Sequence, residues 1–233
     1  SYTDIWGNWT APFMSMPAAM LDVCHKNGVK ISCVAPITWA SYLSPTSEGY
    51  GEMLARMLID GPDKFLKYLK YYGIDGIGFN SEFSWRGTLS GSGPYSGYEF
   101  HTAMKKFLGD CYTGASEYGV PFHNCWYSLT NNSGFCGGSS ALNENNKDWF
   151  DYEGKPTSTA YFTNYYAAPS HSQTCVDNYF PNRSSYDVYM GVDYQAGYSL
   201  QNWLILPNYR TPSGSCGAHN RNMIYEQRGE RGP

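Results

Sequence analysis

The sequence predicts an α/β fold, a (β/α)8 or TIM barrel in which one strand is absent or unrecognised, on three observations. Short apolar runs alternate with helix-patterned segments, the alternation that builds a parallel sheet covered by helices. Three helix patterns hand over to a strand through the same step, Asn27-Gly28-Val29, Tyr72-Gly73-Ile74 and Tyr118-Gly119-Val120. The 233 residues fall slightly short of the about 250 that a full barrel usually takes. A doubly wound open sheet is the rival, disfavoured because no Gly-rich phosphate loop follows an early strand.

The elements follow in order. Residues 2–7 read as a strand, 17–27 as a helix and 29–36 as a second strand. The helix predicted over 62–72 has Pro62 in its first turn, Phe65, Leu66 and Leu69 on one face, and Lys64, Lys67 and Lys70 on the other. A third strand covers 76–82, and a third helix runs from 98 to 118 and stops near Gly119. Strands over 121–127, 160–166 and 188–193 complete the pattern, with a less sharply marked one over 213–224. The Gly/Ser stretches 87–97 and 133–140 follow strand ends and read as loops of the active face rather than linkers. No composition shift marks a boundary, so residues 1–233 are expected to form a single catalytic barrel domain. Its start at Ser1 shows no signal peptide and looks processed or truncated, as in a fragment of a longer protein.

Composition narrows the function classes. Charged residues are 15% of the chain and the net charge is -4, so no basic face is available to collect nucleic-acid phosphates. Aromatic residues reach 17%, with 22 Tyr and 7 Trp, more than a core of this size needs. Either packing absorbs the surplus, or ring faces line a cleft and stack on sugars. The seven cysteines contain no C-x-x-C pair, which leaves a zinc ribbon or a thioredoxin-type site unsupported; Cys33 and Cys125 sit in strand-like runs as core residues. No apolar run reaches the roughly 18 residues of a membrane span. His101, His123 and His171 lack metal-ligand spacing, His219 reads as a structural hydrogen bonder, and no metal or cofactor is implied.

Chemistry concentrates in Asp75-Gly76-Ile77-Gly78-Phe79-Asn80-Ser81-Glu82. Side chains alternate along a strand, so Ile77 and Phe79 share one face while Gly78, Asn80 and Glu82 share the other. In a parallel barrel the inner face near a strand's C-terminal end is where catalytic groups collect. Asn80 and Glu82 would point together into the cleft, about 7 Å apart along the strand. An acid there needs a partner or a purpose. Glycoside hydrolysis normally uses two carboxyl groups, and this strand end offers one. The exception is substrate assistance, in which the sugar's own 2-acetamido oxygen attacks the anomeric carbon and the protein supplies an acid and a group that orients the amide. Asn80 with Glu82 is such a pair.

This segment resembles the N-x-E strand of glycoside hydrolase family 85, the endo-β-N-acetylglucosaminidases that cut the chitobiose core of N-linked glycans. It is more distantly similar to the D-G-x-x-x-D-x-D-x-E strand of family 18, with Gly78 and Asn80 in place of two Asp residues. The likeness extends along most of the chain in the same order. His25-Lys26-Asn27-Gly28-Val29 resembles the family's A-H-x-x-G-V segment, Trp126-Tyr127 its W-Y-D-S strand, and Leu142-Asn143 with Asn146 its L-N-x-x-N loop. Phe162-Thr163-Asn164-Tyr165 is similar to F-x-N-Y, and residues 187–193 to D-V-Y-x-G-I-D. In the family the acid stands on the fourth strand, which would place the missing first strand upstream of Ser1.

The resemblance implies that Glu82 is the general acid and then base, that Asn80 orients the acetamido group, and that Tyr127 assists by a hydrogen bond. Trp126, Asn164, Tyr165 and Asp193 would bind substrate, as would Trp6 and Trp39, these two on position alone. It further implies an N-glycan or glycoprotein substrate and a secreted, cell-surface or periplasmic location, with cytosolic relatives also known. The sequence departs from the family pattern at Ser128, at Gly138-Ser139-Ser140 in place of W-Q-N, and near Gln195-Ala196-Gly197 in place of R-G, so glycan selectivity is expected to differ. A family 18-like chitinase and a catalytically silent glycan-binding barrel are the competing readings.

Overall fold

The computed structural model describes residues 5–9, 16–35, 41–47, 49–137, 141–165, 167, 169–193 and 222–225. Seven strands form one all-parallel sheet: β1 (Ile5–Trp9), β2 (Lys30–Ala35), β4 (Gly76–Ser81), β6 (His123–Ser128), β9 (Ala160–Tyr165), β10 (Val188–Asp193) and β11 (Asn222–Tyr225). Two short pairs stand outside it, β3 (Tyr42–Leu43) with β5 (Ser84–Trp85) and β7 (Asp151–Tyr152) with β8 (Lys155–Pro156). The helices are α1 (Ala18–Lys26), α2 (Tyr50–Asp60), α3 (Pro62–Tyr72), α4 (Phe100–Tyr118) and α5 (Pro169–Tyr179).

Strand order in the main sheet is the chain order, β1-β2-β4-β6-β9-β10-β11. A doubly wound sheet reverses its order at a switch point, and among the described residues none occurs. The winding is that of a (β/α) barrel wall; among the described residues β1 and β11 are not paired with each other, so the wall stays open. Each strand expected from the sequence overlaps a strand of this sheet, although β1 runs on to Trp9 and β11 meets the expected span 213–224 only at 222–224, residues 213–221 lying outside the described set.

The recurring Gly step has one physical cause. In α1, α3 and α4 the glycine takes a left-handed φ of 67, 68 and 64°, and the next residue's amide returns to a helix carbonyl five residues back. The bonds are Val29 to Cys24 (2.8 Å), Ile74 to Leu69 (2.9 Å) and Val120 to Ala115 (3.1 Å). That closure lets a helix stop and a buried β-branched residue start the next strand within two positions.

Two helices, α2 and α5, were not expected. Glycines at 49, 51 and 61 punctuate α2, although Leu54 and Leu58 form its buried stripe. The α5 segment is mostly polar and turns inward through Cys175 and Val176. Conversely, among the described residues no α-helix joins β6 to β9. The β7–β8 hairpin and a 3-10 turn, Lys147–Trp149, pack there instead, and Trp149 lies flat on the outer face of Trp126, centroids 4.3 Å apart and planes 6° off parallel. Trp85, Phe79, Phe83 and Phe100 surround that stack. Part of the aromatic surplus is therefore packing, in the layer where a helix is missing.

Candidate active site

Asn80 is the penultimate residue of β4 and Glu82 is the first residue beyond it. Their side chains converge, with Asn80 Nδ2 3.5 Å from Glu82 Oε2, a contact at the long limit of hydrogen bonding. Both residues are partly exposed while their neighbours Phe79, Ser81 and Phe83 are buried. The pair thus stands at the C-terminal end of the sheet, open to solvent and loosely committed to each other.

The residue between them does the holding. Ser81 is fully buried on the opposite side, where its Oγ accepts from the Trp85 indole N–H (3.0 Å) and shares a bond with Thr130 Oγ1 (3.0 Å). The Leu129 amide donates to the Ser81 carbonyl (3.1 Å), and Thr130 Oγ1 reaches the Phe83 carbonyl (3.3 Å). These bonds fix the backbone on which Asn80 and Glu82 are carried. Sequence reading missed Ser81 and Thr130; the signal was present, since alternation turns the middle residue of Asn-Ser-Glu toward the helix layer, where a hydroxyl requires partners.

Tyr127 joins the pair through register. It stands opposite Asn80 in the β4–β6 ladder, so the two side chains share a face, and its ring packs on Phe162 of β9 at 5.0 Å. Trp126 does not join them. It is 0% exposed, aligned with Phe79, tilted against that ring and stacked on Trp149 on the helix side of the sheet, so the expectation that it binds substrate is corrected. Adjacent strand residues face opposite ways; with Tyr127 inward, Trp126 had to be core.

The remaining expected residues are placed by backbone. Asn164 and Tyr165 end β9, and Asp193 ends β10, all at the same end of the sheet as Asn80, with their side chains outside the described set. Trp39 lies outside the described residues altogether, as do the departures at 138–140 and 195–197. Trp6 was placed on the assumption that it closes its strand. β1 instead runs to Trp9, and Trp6 pairs with Ile31 near the strand's start, so that positional ground is gone.

Several motif residues prove to be architectural. At the N-terminal end of β4, Asp75 Oδ2 accepts from His25 Nε2 (2.9 Å) and from the Ile31 amide (2.9 Å). The L-N-x-x-N segment is a self-bonded turn: Asn146 Oδ1 accepts from the Asn143 amide (2.8 Å), and both side-chain amides donate to the Ala141 carbonyl at 2.9 and 3.0 Å. The loop 130–137 is held from below by buried Lys105, which donates to the Asn132 carbonyl (2.8 Å) and approaches Asp148 (3.4 Å). Burial lowers the Lys105 pKa, and Asp148 opposes the shift. At the loop's far end Cys136 feels the Glu82 carboxylate. Partial desolvation raises its thiol, a bond from Gly137 opposes this, and the charge of Glu82 adds to the rise. Among the described residues no three His, Cys, Asp or Glu side chains gather as a metal site, and no helix is long and apolar enough to cross a membrane.

A singly wound parallel barrel wall that presents a carboxylic acid beside an amide at a strand's C-terminal end is the placement in which (β/α) barrel enzymes carry their catalytic groups, and the family match makes the class a glycoside hydrolase. The family model described as Glycosyl hydrolase family 85 matches residues 1–232, and the chain belongs to that family. Among solved structures, the glycoside hydrolase domain Spr0440 of Endo-D from Streptococcus pneumoniae R6 is similar with a TM-score of 0.63 at 21% identity, over 88% of this chain and 31% of that one. The chain therefore spans about a third of that protein's length. The spore cortex-lytic enzyme SleL of Bacillus megaterium QM B1551 aligns over 77% of this chain and 40% of its own at 12% identity, with a TM-score of 0.43. No curated protein matches the chain.

Proposed function

We propose that this chain is the catalytic barrel of an endo-β-N-acetylglucosaminidase that hydrolyses the GlcNAc-β-1,4-GlcNAc chitobiose core of N-linked glycans with retention. The observation that carries it is the pairing of one acid, Glu82, with one amide, Asn80, and the alignment of Tyr127 beside that amide. Membership of family 85 supports the same reading.

In the first step the substrate's 2-acetamido oxygen attacks the anomeric carbon while Glu82 gives its proton to the leaving oxygen. The bond to the departing GlcNAc breaks and a protonated oxazoline forms, the proton staying on the former acetamido nitrogen. Asn80 holds the acetamido group in the attacking orientation, and Tyr127 supports it with its hydroxyl. In the second step Glu82, now a carboxylate, takes a proton from water, and the water oxygen opens the oxazoline at the same face that the leaving group vacated. The long 3.5 Å contact suits this work, because neither side chain gives up a strong bond to meet the sugar.

The test is mass spectrometry of a high-mannose glycopeptide after incubation. A single GlcNAc left on Asn is expected from the parent. Glu82→Gln should lose about 10²- to 10⁴-fold in rate, the usual share of general acid–base catalysis. Asn80→Ala should fail on the glycopeptide yet still accept a preformed oxazoline. Parental rates in both variants would overturn the assignment.

A further inference from the structure

Two residues beyond Glu82, the short pair β3–β5 begins a second feature of the same rim. The Trp85 amide donates to the Gly134 carbonyl (2.7 Å), and Ser84 Oγ accepts from the Cys136 amide (3.0 Å), which binds the turn after β4 to the loop after β6. Beside that seam lies a groove of about 540 Å3 whose wall includes Arg86, Glu99, His101, Ser133 and Phe135.

The groups in this groove are fixed from behind and open in front. Phe135 is 54% exposed, yet its backbone is pinned: Asn131 Oδ1 accepts from the amides of Ser133 (3.0 Å) and Phe135 (2.9 Å), and the Asn131 carbonyl accepts from the Trp149 indole (3.0 Å). The Glu99 side chain is 70% exposed, and its carboxylate is aimed by the buried His101, whose Nε2 lies 2.6 Å away. His101 in turn is covered by Gly134. A Cβ there would stand 2.8 Å from the imidazole, and its φ of +81° suits only glycine. Burial, with the Lys105 charge adding to it, lowers the His101 pKa, so near neutral pH the ring is a neutral donor to Glu99. At the other edge the Arg86 guanidinium lies over the half-exposed Tyr42 ring, 5.3 Å from its centroid.

An exposed ring on a pinned backbone, an oriented carboxylate and a guanidinium backed by a tyrosine ring are the groups that recognise a sugar. The Phe135 ring covers its apolar face, and the charged groups bind its hydroxyls. Arg86 follows Glu82 by four residues, so their Cα atoms are at most about 15 Å apart. A nucleic-acid strand would meet Glu99 and a net charge of -4, and an apolar peptide would leave Glu99 and Arg86 without partners.

We propose that this groove is a second glycan subsite, which holds the oligosaccharide arm of the substrate whose N-acetylglucosamine reacts at Asn80 and Glu82. The assignment rests on Asn80 and Glu82 being the reacting centre. Because the groove is fixed before binding, little ordering is needed when the arm docks, and the gain appears as a lower KM on long substrates.

The test compares the parent with Phe135→Ala and Glu99→Gln on two glycopeptides, one high-mannose and one trimmed to a single mannose on the chitobiose core. Both substitutions are at exposed side chains, and thermal unfolding checks that the fold is kept. Each variant should lose about tenfold in kcat/KM on the high-mannose substrate, through KM, and stay within about twofold on the trimmed one. If the parent cleaves both and the variants match it on both, or lose equally on both, the groove is not a subsite while the reacting centre stands. If the parent cleaves neither, titration with free high-mannose oligosaccharide decides. Binding that the variants lose keeps the groove and overturns the reacting centre, and no binding overturns both.

Discussion

Strand β4 is flanked by a carboxylate at each end, and the two are used in opposite ways. Asp75, just before the strand, is buried and holds His25 and the Ile31 amide, both at 2.9 Å, while its own amide and carbonyl are taken by Ile31 and His123. Glu82, just after it, is partly exposed and among the described residues has one hydrogen-bond contact, at 3.5 Å. At the N-terminal end of the strand the carboxylate is committed to the fold, and at the C-terminal end, on the reading proposed above, it is left for the sugar. A set of motif residues such as His25, Asp75 and Glu82 thus mixes two kinds of residue, and only their partners tell them apart.

Paired substitutions at the two carboxylates give the largest effect and the sharpest test. Glu82→Gln should remove most of the activity and leave thermal stability within about 0.5 kcal/mol of the parent, since a partly exposed side chain with one long contact is changed. Asp75→Ala should do the reverse. Losing two bonds to a charged acceptor costs about 2–3 kcal/mol, seen in the urea midpoint, while rate per folded molecule on the glycopeptide is kept. If Asp75→Ala instead lost activity at full stability, the division between the two ends would be wrong.

Ser81 tests the boundary between the two uses, because it is a fold-type residue placed inside the active segment. Ser81→Ala leaves the buried Trp85 indole N–H without its acceptor and removes one of the bonds of Thr130, whose hydroxyl keeps the Phe83 carbonyl, a cost of about 1–3 kcal/mol. It should also lower kcat by a few-fold to about tenfold with KM little changed, as expected when an acid is displaced by a fraction of an ångström. Trp85→Phe removes one donor to the same oxygen and should show a weaker form of both effects. A stability loss with kcat untouched would reduce Ser81 to a purely structural residue.

Much of this was legible in the sequence, for definite reasons. The strands showed because parallel strands buried on both faces are short apolar runs, and the Gly step showed because a left-handed cap followed by a β-branched residue leaves a fixed trace. Asn80 and Glu82 showed because alternation puts them on one face. Trp126 was misread because it adjoins Tyr127 in a shared motif, although the same alternation places it in the core. The helix α2 was hidden by its glycines. No local signal announced that Trp149 would replace a helix between β6 and β9, since that stack joins residues 23 positions apart, 126 and 149. The groove at Phe135 was anticipated only as a Gly/Ser loop of the active face. Its chemistry depends on His101 and Tyr42 arriving from other elements.

The effect that shows only as a dependence on pH lies beside Asp75. His123 opens β6, its amide donates to the Asp75 carbonyl (2.8 Å), and its backbone presses on Gly76 so closely that no Cβ fits there. Its Nδ1 is buried without a hydrogen-bond partner among the described residues. Burial, then the charge of Lys30, lowers its pKa to about 4, against the opposing pull of Asp75. The unfolded chain binds the proton near the ordinary imidazole value of about 6.5, so between there and pH 4 it holds more protons than the folded one. Stability is therefore full above about 6.5, falls as pH drops through the window, and is lost in this part by pH 4, at up to about 1.4 kcal/mol per unit. Urea midpoints of the parent at pH 7 and pH 4.5 should differ in that direction, and His123→Leu should flatten the slope. An equal slope in both proteins would place the acid sensitivity elsewhere, and the N-terminal end would then not be the place where the fold holds its groups in one fixed state.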